Sequence, residues 1–512
     1  MPNPTWELSV DWENGGDFTG TNEDVTAYVL LNPGIQTFRG RDNASQLTGR
    51  SIAGSLTCLL DNTSGLFSSF NASGALYGSL LPGRPVRLRG VVGVTTYDVW
   101  YGYLESLTPE TVQSSSFPVV RLRATGALAW LANPGRKVSF AMQGAVLTGT
   151  AIGALLDEAG WSASLRDLDA GNTTMTRFWV DRTAPLTALR KAEETEGGFL
   201  WEKADGKVVF DSRWARMTNA VSTSVQQTYS DDGSDIPYAS IRQEDAWADI
   251  YNRLETQVQL YTVGSLAVLW TLAATGADSP VIAAGESRDF WANYPNPASA
   301  AADGVAVDAW TTPVITTDFL ANAAADGSGT NLSASITVTA TKFANAMKIN
   351  LANGAAVPAF ITFLQARGTP VLASDPLTVV SEDSTSQTAY GERAYPNPSQ
   401  FTPDLDEAEA WNGFILNIFK DPQPRLQITI QASKNTTMLA DVLTRDIGHR
   451  VNLEATGARA KLGIDEDFFI EAIRHRAGAA LETTFDLSPA SAWGGFIVID
   501  TDTLDGPKAI GF

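Results

Sequence analysis

The sequence is poor in the residues from which catalytic and metal sites are most often built. Its 512 residues include one cysteine and two histidines. A single cysteine excludes an intramolecular disulfide framework. Cys58 lies in the apolar run Ser55-Leu56-Thr57-Cys58-Leu59-Leu60 and reads as a small buried hydrophobe. Folding in a reducing cytoplasm fits that usage. Two histidines cannot furnish a three-histidine zinc site, although one could join carboxylates as a ligand. His449 and His475 both adjoin arginines, in Gly448-His449-Arg450 and Arg474-His475-Arg476. They read as surface or strand-face side chains, because a general base needs positioning partners that the sequence does not display. Gly-x-Ser-x-Gly, His-Glu-x-x-His, Cys-x-x-Cys and a glycine-rich loop ending in Gly-Lys-Ser or Gly-Lys-Thr are also absent.

Positive charge is scarce as well: 36 basic residues against 57 acidic ones leave a formal charge of -21. Proteins that hold nucleic acid neutralise phosphates with clustered Lys and Arg. Stable nucleic-acid binding is therefore not expected, and DNA would be repelled. The acidity reads as solubility or, more specifically, as a surface past which DNA slides without sticking. Every apolar run is cut by Gly, Pro or charge before it reaches membrane-spanning length, so no transmembrane segment is expected. Met1-Pro2-Asn3-Pro4-Thr5-Trp6 has no basic segment followed by an apolar one, so no secretory signal is expected either.

Core-forming residues are plentiful. With 44% hydrophobic and 18% charged residues the chain is globular, not disordered. Its length predicts roughly three or four folded units. From Trp6 to about Trp130, short alternating runs such as Val86-Arg87-Leu88-Arg89 and Val119-Val120-Arg121-Leu122-Arg123-Ala124 are separated by turn residues, which predicts an antiparallel sandwich or barrel over residues 1–133. Residues 134–253 read as a small α+β domain. Ile152, Leu155, Leu156 and Ala159 recur at helical spacing before Gly160. A second helix runs from Pro185 to Glu196 and stops at Gly197-Gly198. Asp205-Gly206 then joins two apolar strands. Residues 254–375 are low in charge, all strand and turn, and read as an inserted β-sandwich. Residues 376–490 read as a second barrel with a helix from about Asp404 to Phe419, whose first turns carry Asp406, Glu407 and Glu409. Residues 491–512 form a C-terminal tail segment. The predicted class is mainly β with a small α+β domain: two tube-like barrels plus the inserted sandwich.

One segment suggests an ion. Asp11-Trp12-Glu13-Asn14-Gly15-Gly16-Asp17-Phe18 alternates oxygen side chains with a glycine at the sixth position, as a calcium loop does, making Asp11, Glu13 and Asp17 the candidate ligands. The pattern is degraded, with Gly15 at position five and Asn22 at position twelve. The same residues also form ordinary turns, and the reading preferred here is a turn joining two strands without a metal. No cofactor is expected. Carboxylate pairs could support glycan cleavage, but among 57 acids some pair is expected regardless. The fourteen tryptophans invite a carbohydrate-binding reading, yet Trp100, Trp179 and Trp201 sit in alternating runs where core packing is their expected role.

Taken in order, several segments resemble the hub-type minor tail proteins of long-tailed bacteriophages. Trp6 to Thr26, Gly54-Ser55-Leu56-Thr57-Cys58-Leu59-Leu60-Asp61-Asn62 with Gly65-Leu66-Phe67-Ser68, Leu80 to Leu88, and Trp100-Tyr101-Gly102-Tyr103-Leu104-Glu105 resemble the family's first barrel. Leu189 to Gly198, Phe199-Leu200-Trp201-Glu202, Gly206 to Phe210 and Ile250-Tyr251-Asn252-Arg253-Leu254 are similar to its α+β domain. Ser384 to Arg393, Asp446 to Val451 and Asp467-Phe468-Phe469-Ile470 resemble its second barrel. The insertion matches least. Glu13, Gly15 and His449 depart from the pattern.

The resemblance implies a non-enzymatic homotrimer in which two barrels per subunit make a pseudo-sixfold ring around a DNA channel. Its partners would be the distal tail protein and tail tube, the tape-measure protein, and tip or fibre proteins, with DNA only in passage. Its place would be the virion tail tip, after assembly in the host cytoplasm. Such a tip would take part in host attachment and DNA ejection. The alternatives are a hexameric distal tail ring, a tail-associated enzyme that cleaves cell-wall material, and a receptor- or carbohydrate-binding tip protein.

Overall fold

The computed structural model describes residues 2–43, 45, 47–110, 117–245, 249–272, 276–295, 304–397, 404–457, 461–493, 496–497 and 509–510. Strand accounts for 44% of the chain and helix for 19%, so the fold is mainly β, and it is divided among several sheets and domains. Most of the expected tail segment lies outside the described residues.

A thirteen-stranded sheet organises the molecule. Its N-terminal half runs in the order Thr5–Val10, Pro85–Val92, Thr95–Glu110, Val119–Thr125, Ser51–Asp61, Ile35–Arg41. Alternation explains these strands: Leu56, Cys58 and Leu60 are buried while the residues between them face outward or lie half-buried. The C-terminal half centres on Ile464–Ala477. One edge of that strand pairs with Leu481–Pro489, which continues to Pro424–Gln431 and Ser240–Asp245. Along its other edge, residues 464–469 pair with Arg450–Ala455 and residues 472–477 pair with Ile35–Arg41. The strand Ile35–Arg41 is thus the seam between the halves, with Ser51–Asp61 on its far side.

Glycines bracket the seam. Gly40 has φ +119°, and a Cβ there would lie 2.4 Å from the Glu471 carbonyl oxygen and 2.5 Å from Ala472 Cα. Gly34, at φ +79°, would meet the Ala477 carbonyl oxygen at 2.4 Å. Pairing shifts register between Phe38 and Gly40, and again between Ile470 and Ala472. In the first, Ala53 and Gly54 on Ser51–Asp61 stand opposite Arg39; in the second, Glu471 is the extra residue, and its side chain is re-aimed.

One apolar core spans both halves, joining Leu8, Trp12 and Trp100 to Tyr229, Val442 and Phe485. Part of it comes from a helix, Thr436–Thr444, which the sequence reading does not include. Asn435 caps it by accepting from Met438 N at 2.9 Å, and Met438, Leu439, Val442 and Leu443 bury its inner face. The helix packs on the N-terminal half, where Leu443 approaches Gly90 closely enough that a Cβ would stand 3.2 Å away.

Two further cores are separate. Helices Thr148–Glu158 and Pro185–Glu196 cover a three-stranded sheet of Arg166–Leu168, Phe199–Glu202 and Val208–Asp211 around Leu155, Leu189 and Phe210. Pro185 starts the second helix and Gly197, at φ +67°, ends it in the left-handed conformation. The inserted unit builds its own core from Ile349, Leu351, Ile361 and Leu364, and its first strand is Tyr261–Val263. Arg253–Val258 lies outside it, pairing with Leu377–Glu382 and Ala394–Asn397 beneath the helix Leu405–Phe419, which Asp404 caps. The chain therefore weaves between units. Strands at 228–245, following the α+β segment, enter the large sheet, and strands at 377–397 do not.

The seam predicts unequal costs for two glycines of positive φ. Gly78, at φ +83°, has nothing within 4 Å of a Cβ. Gly78→Ala should lose about 1 kcal/mol of stability from backbone strain alone, whereas Gly40→Ala, which must also part the strands, should lose about 2–4 kcal/mol. Urea denaturation of both variants checks this, and equal losses would remove the seam's special status.

Candidate functional site

The loop suggested as an ion site folds as a turn. Asp11 is buried, and its Oδ1 accepts from Gly15 N at 3.0 Å while Oδ2 accepts from Gly16 N at 2.6 Å. Glu13 and Asp17 are exposed, and Asp17 Oδ1 accepts from Thr19 N at 3.3 Å. Glu23 Oε2 takes Gly20 N at 2.7 Å. Burial, with Asp11 nearby, holds the Glu23 carboxyl above its usual range despite that donor. Among the described residues no three His, Cys, Asp or Glu side chains are grouped so that they could hold a metal ion.

His475 is not at the surface. It shares the inward face of its strand with Ile473 and Ala477, is 5% exposed, and sets Nδ1 2.9 Å from Thr483 Oγ1. Burial lowers its pKa to about 3. His449 is half-buried, and burial lowers its pKa to about 4. Both rings are neutral at neutral pH. Cys58 is buried as expected, and burial raises its thiol to about 12, so it is no nucleophile.

The structure instead gathers charge at the junctions between units. Glu471, the bulge residue in the pairing of Ile464–Ala477 with Leu481–Pro489, is fully buried. It accepts from Arg41 Nε at 2.8 Å and from Arg216 Nη1 and Nη2 at 2.7 and 2.9 Å, with the Ser488 hydroxyl as a further donor. Arg41 belongs to the N-terminal half and Arg216 to the segment after the α+β sheet, so one carboxylate ties three parts of the chain. Burial alone would raise its pKa, but Arg216 and Arg41 outweigh that and hold it at about 2. Beside it, Arg39 Nη1 donates to Asp446 Oδ1 at 2.8 Å and to the Glu202 carbonyl oxygen at 3.2 Å.

Glu202 plugs the α+β unit into the N-terminal half. Its carboxylate accepts from Gly54 N at 2.7 Å and from Leu128 N at 2.5 Å, the latter in the first turn of Ala127–Leu131. The slot is walled by glycine: a Cβ on Gly126 would lie 2.0 Å from Glu202 Oε2 and one on Gly54 2.6 Å from it. Burial wins here over the donors and raises the pKa to about 7. Glu196, at the end of the helix Pro185–Glu196, accepts from Thr148 Oγ1 at 2.8 Å and Thr173 N at 2.8 Å, and pairs with Arg213 at 3.4 Å. Arg213 reaches on to Glu407 of the helix Leu405–Phe419 at 3.1 Å.

A cavity of about 430 Å³ opens beside this network, lined in part by Trp201, Asp211, Arg216, Asp446 and His449. Its acids are engaged: Asp446 with Arg39, and Asp211 with Trp201 Nε1 at 2.7 Å, burial raising the Asp211 carboxyl to about 6. The arrangement suits holding units in register. Sequence reasoning missed Glu202 and Glu471, although a signal was available: each is the one acid within an apolar run, Phe199-Leu200-Trp201-Glu202 and Phe468-Phe469-Ile470-Glu471-Ala472-Ile473.

No family model matches the sequence, and no curated protein matches it. Solved structures that are similar include a tail protein from Neisseria meningitidis MC58, 12% identical with a TM-score of 0.48 over 95% of this chain and 98% of that one. The 43 kDa tail protein of prophage MuSo2 from Shewanella oneidensis is 12% identical, with a TM-score of 0.45 over 95% of this chain and 99% of that one. Prophage tail protein gp18 from Listeria monocytogenes EGD-e is 9% identical, with a TM-score of 0.41 over 94% of each chain.

Glu471 should act as an acid-sensitive lock. Its folded pKa of about 2 lies below the unfolded value near 4.5. Its contribution is therefore complete above the unfolded value and lost as pH falls toward the folded one. Glu471→Gln leaves two buried arginines uncompensated and should lower stability by about 3–5 kcal/mol at neutral pH. The gap from the parent should narrow on going to about pH 3. Denaturant titrations at both pH values check this, and a gap that does not change with pH would overturn it.

Proposed function

We propose that the chain is a structural component of the tail tip of a tailed bacteriophage, occupying the hub position and acting without a catalytic step. The observation that carries this reading is the seam. One chain holds two strand-built halves side by side in a single sheet, joined through Ile35–Arg41 and Ile464–Ala477. Three copies would then present six comparable halves around one axis, the geometry needed where a sixfold tube and distal tail ring meet a threefold tip. The buried ion network supports that role, because a subunit that transmits such a symmetry change must keep its halves at one fixed angle.

In this reading the tape-measure protein and tip or fibre proteins are further partners, and DNA is met only in passage. The charge of -21 supports an acidic lumen along which phosphates are repelled, not captured. The paired state of the acids around the central cavity supports a mechanical role there. The virion is the expected location.

Native mass measurement of the purified protein tests the hub assignment. A trimer is expected, a hexamer would instead fit a distal tail ring, and a monomer would sink the hub reading. Incubation with peptidoglycan tests the non-enzymatic half: no soluble fragments are expected, and their release would overturn it.

A further inference from the structure

We propose that the cavity between the inserted sandwich and the α+β unit is a saccharide-binding site, with Trp291 as its stacking platform. The cavity measures about 780 Å³, within the range of small-ligand sites. Trp291, Phe343, Asn293, Asn345, Asp181 and Arg182 line it.

Trp291 is out of keeping with a packing role. On its strand, Ser287–Asn293, the neighbours Phe290 and Ala292 turn into the core at 7% and 0% exposure, while Trp291 faces outward and is 50% exposed. Its ring lies nearly parallel to that of Phe343, with 22° between planes and 6.0 Å between centroids. An indole held in this way presents a flat apolar face to the cavity. Other tryptophans, such as Trp100 and Trp201, are buried, which is what their alternating runs predict.

The polar lining narrows the ligand class. Asn345 Oδ1 is buried and has no hydrogen-bond partner among the described residues. A buried acceptor without a donor calls for one from outside the chain. Asp181 Oδ1 accepts from Ser139 Oγ at 3.2 Å and keeps further acceptor capacity. Arg182 stands beside it, exposed and with φ +45°, a backbone region that non-glycine residues occupy mainly where surroundings or function require it. An anion would face the Asp181 carboxylate and the Asn345 carbonyl. A purely apolar ligand would leave Asn345 Oδ1 dry. A pyranose ring meets both requirements, since its C–H face stacks on Trp291 and its hydroxyls donate to Asn345 and Asp181 and accept from Arg182 and the Asn293 amide.

The frame of the cavity is built. Ala344 N donates to the Phe140 carbonyl oxygen at 3.1 Å, Arg177 pairs with Asp308 at 3.2 Å, and Trp179 meets Tyr261 edge to face at 5.1 Å, which fixes the sandwich on the α+β unit. Within the sandwich, Tyr294 N donates to the Asn345 carbonyl oxygen at 2.9 Å, which ties the backbone of the two lining segments together. The site stands apart from the seam, so its success or failure does not depend on the hub assignment.

Saturation-transfer NMR and tryptophan fluorescence on the full chain, with glucose, galactose, mannose and N-acetylglucosamine as probes, test the proposal. At least one sugar should bind saturably, with Kd on the order of 1 mM. Trp291→Ala should weaken it more than tenfold and Asn345→Ala severalfold, with native mass and thermal midpoint unchanged. Absence of a saturable signal for all four probes at roughly 10 mM, or a signal that survives Trp291→Ala, overturns it.

Discussion

The strand Ile35–Arg41 has partners on both edges, and the rest of the architecture depends on that fact. Ser51–Asp61 takes one edge and residues 472–477 the other. The two halves are therefore not domains on a linker. Their relative position is set by a ladder of backbone hydrogen bonds, and disturbing it would expose paired N–H and C=O groups. Such close pairing explains the glycines at both ends of the strand, where any side chain would collide with the partner backbone. It also explains the shared core, in which the helix Thr436–Thr444 from one half covers the sheet of the other.

Buried charge adds selectivity to that geometry. Taking a carboxylate out of water costs several kcal/mol, and the ion pairs formed at Glu471 offset this only when every donor is in place. Arg41, Arg216 and Ser488 converge on Glu471 in one arrangement of the halves. Glu202 behaves similarly at the next junction, filling a slot that only glycine walls leave open, with Gly54 N and Leu128 N as its donors. The two respond oppositely to pH. The stabilisation from Glu471 fades in acid, and that from Glu202 is complete below its unfolded value near 4.5 and fades as pH rises through about 7.

The inserted sandwich is organised differently. It has its own apolar core and meets the α+β unit through a small set of contacts such as Arg177 with Asp308. A unit attached in this way can vary without disturbing the seam, since among the described residues none of its strands enters the thirteen-stranded sheet. Under the two proposals, assembly and ligand recognition would be carried by separate parts of one chain, the first by backbone pairing and buried ions, the second by an exposed aromatic face.

Local physics made much of this legible in the residues. The alternation of Val119-Val120-Arg121-Leu122-Arg123-Ala124 marks the strand Val119–Thr125, and Pro185 with Gly197-Gly198 bounds a helix. Asp404 starts another helix at Leu405. The nine-residue helix Thr436–Thr444 escaped notice because its threonine-rich start resembles a loop, although Asn435 was there to cap it. The acids of the junctions were visible as single charges within short apolar runs, but their partners were not: Arg41 and Glu471 are separated by 430 positions, Arg216 and Glu471 by 255. Composition and motif content determined which catalytic motifs the sequence does not contain, and periodicity determined many of its elements, because both are read from neighbouring residues. Which strands share an edge, which charges are buried together and which tryptophan faces a cavity were decided only by the tertiary structure, because pairing across hundreds of residues leaves no periodic trace along the chain.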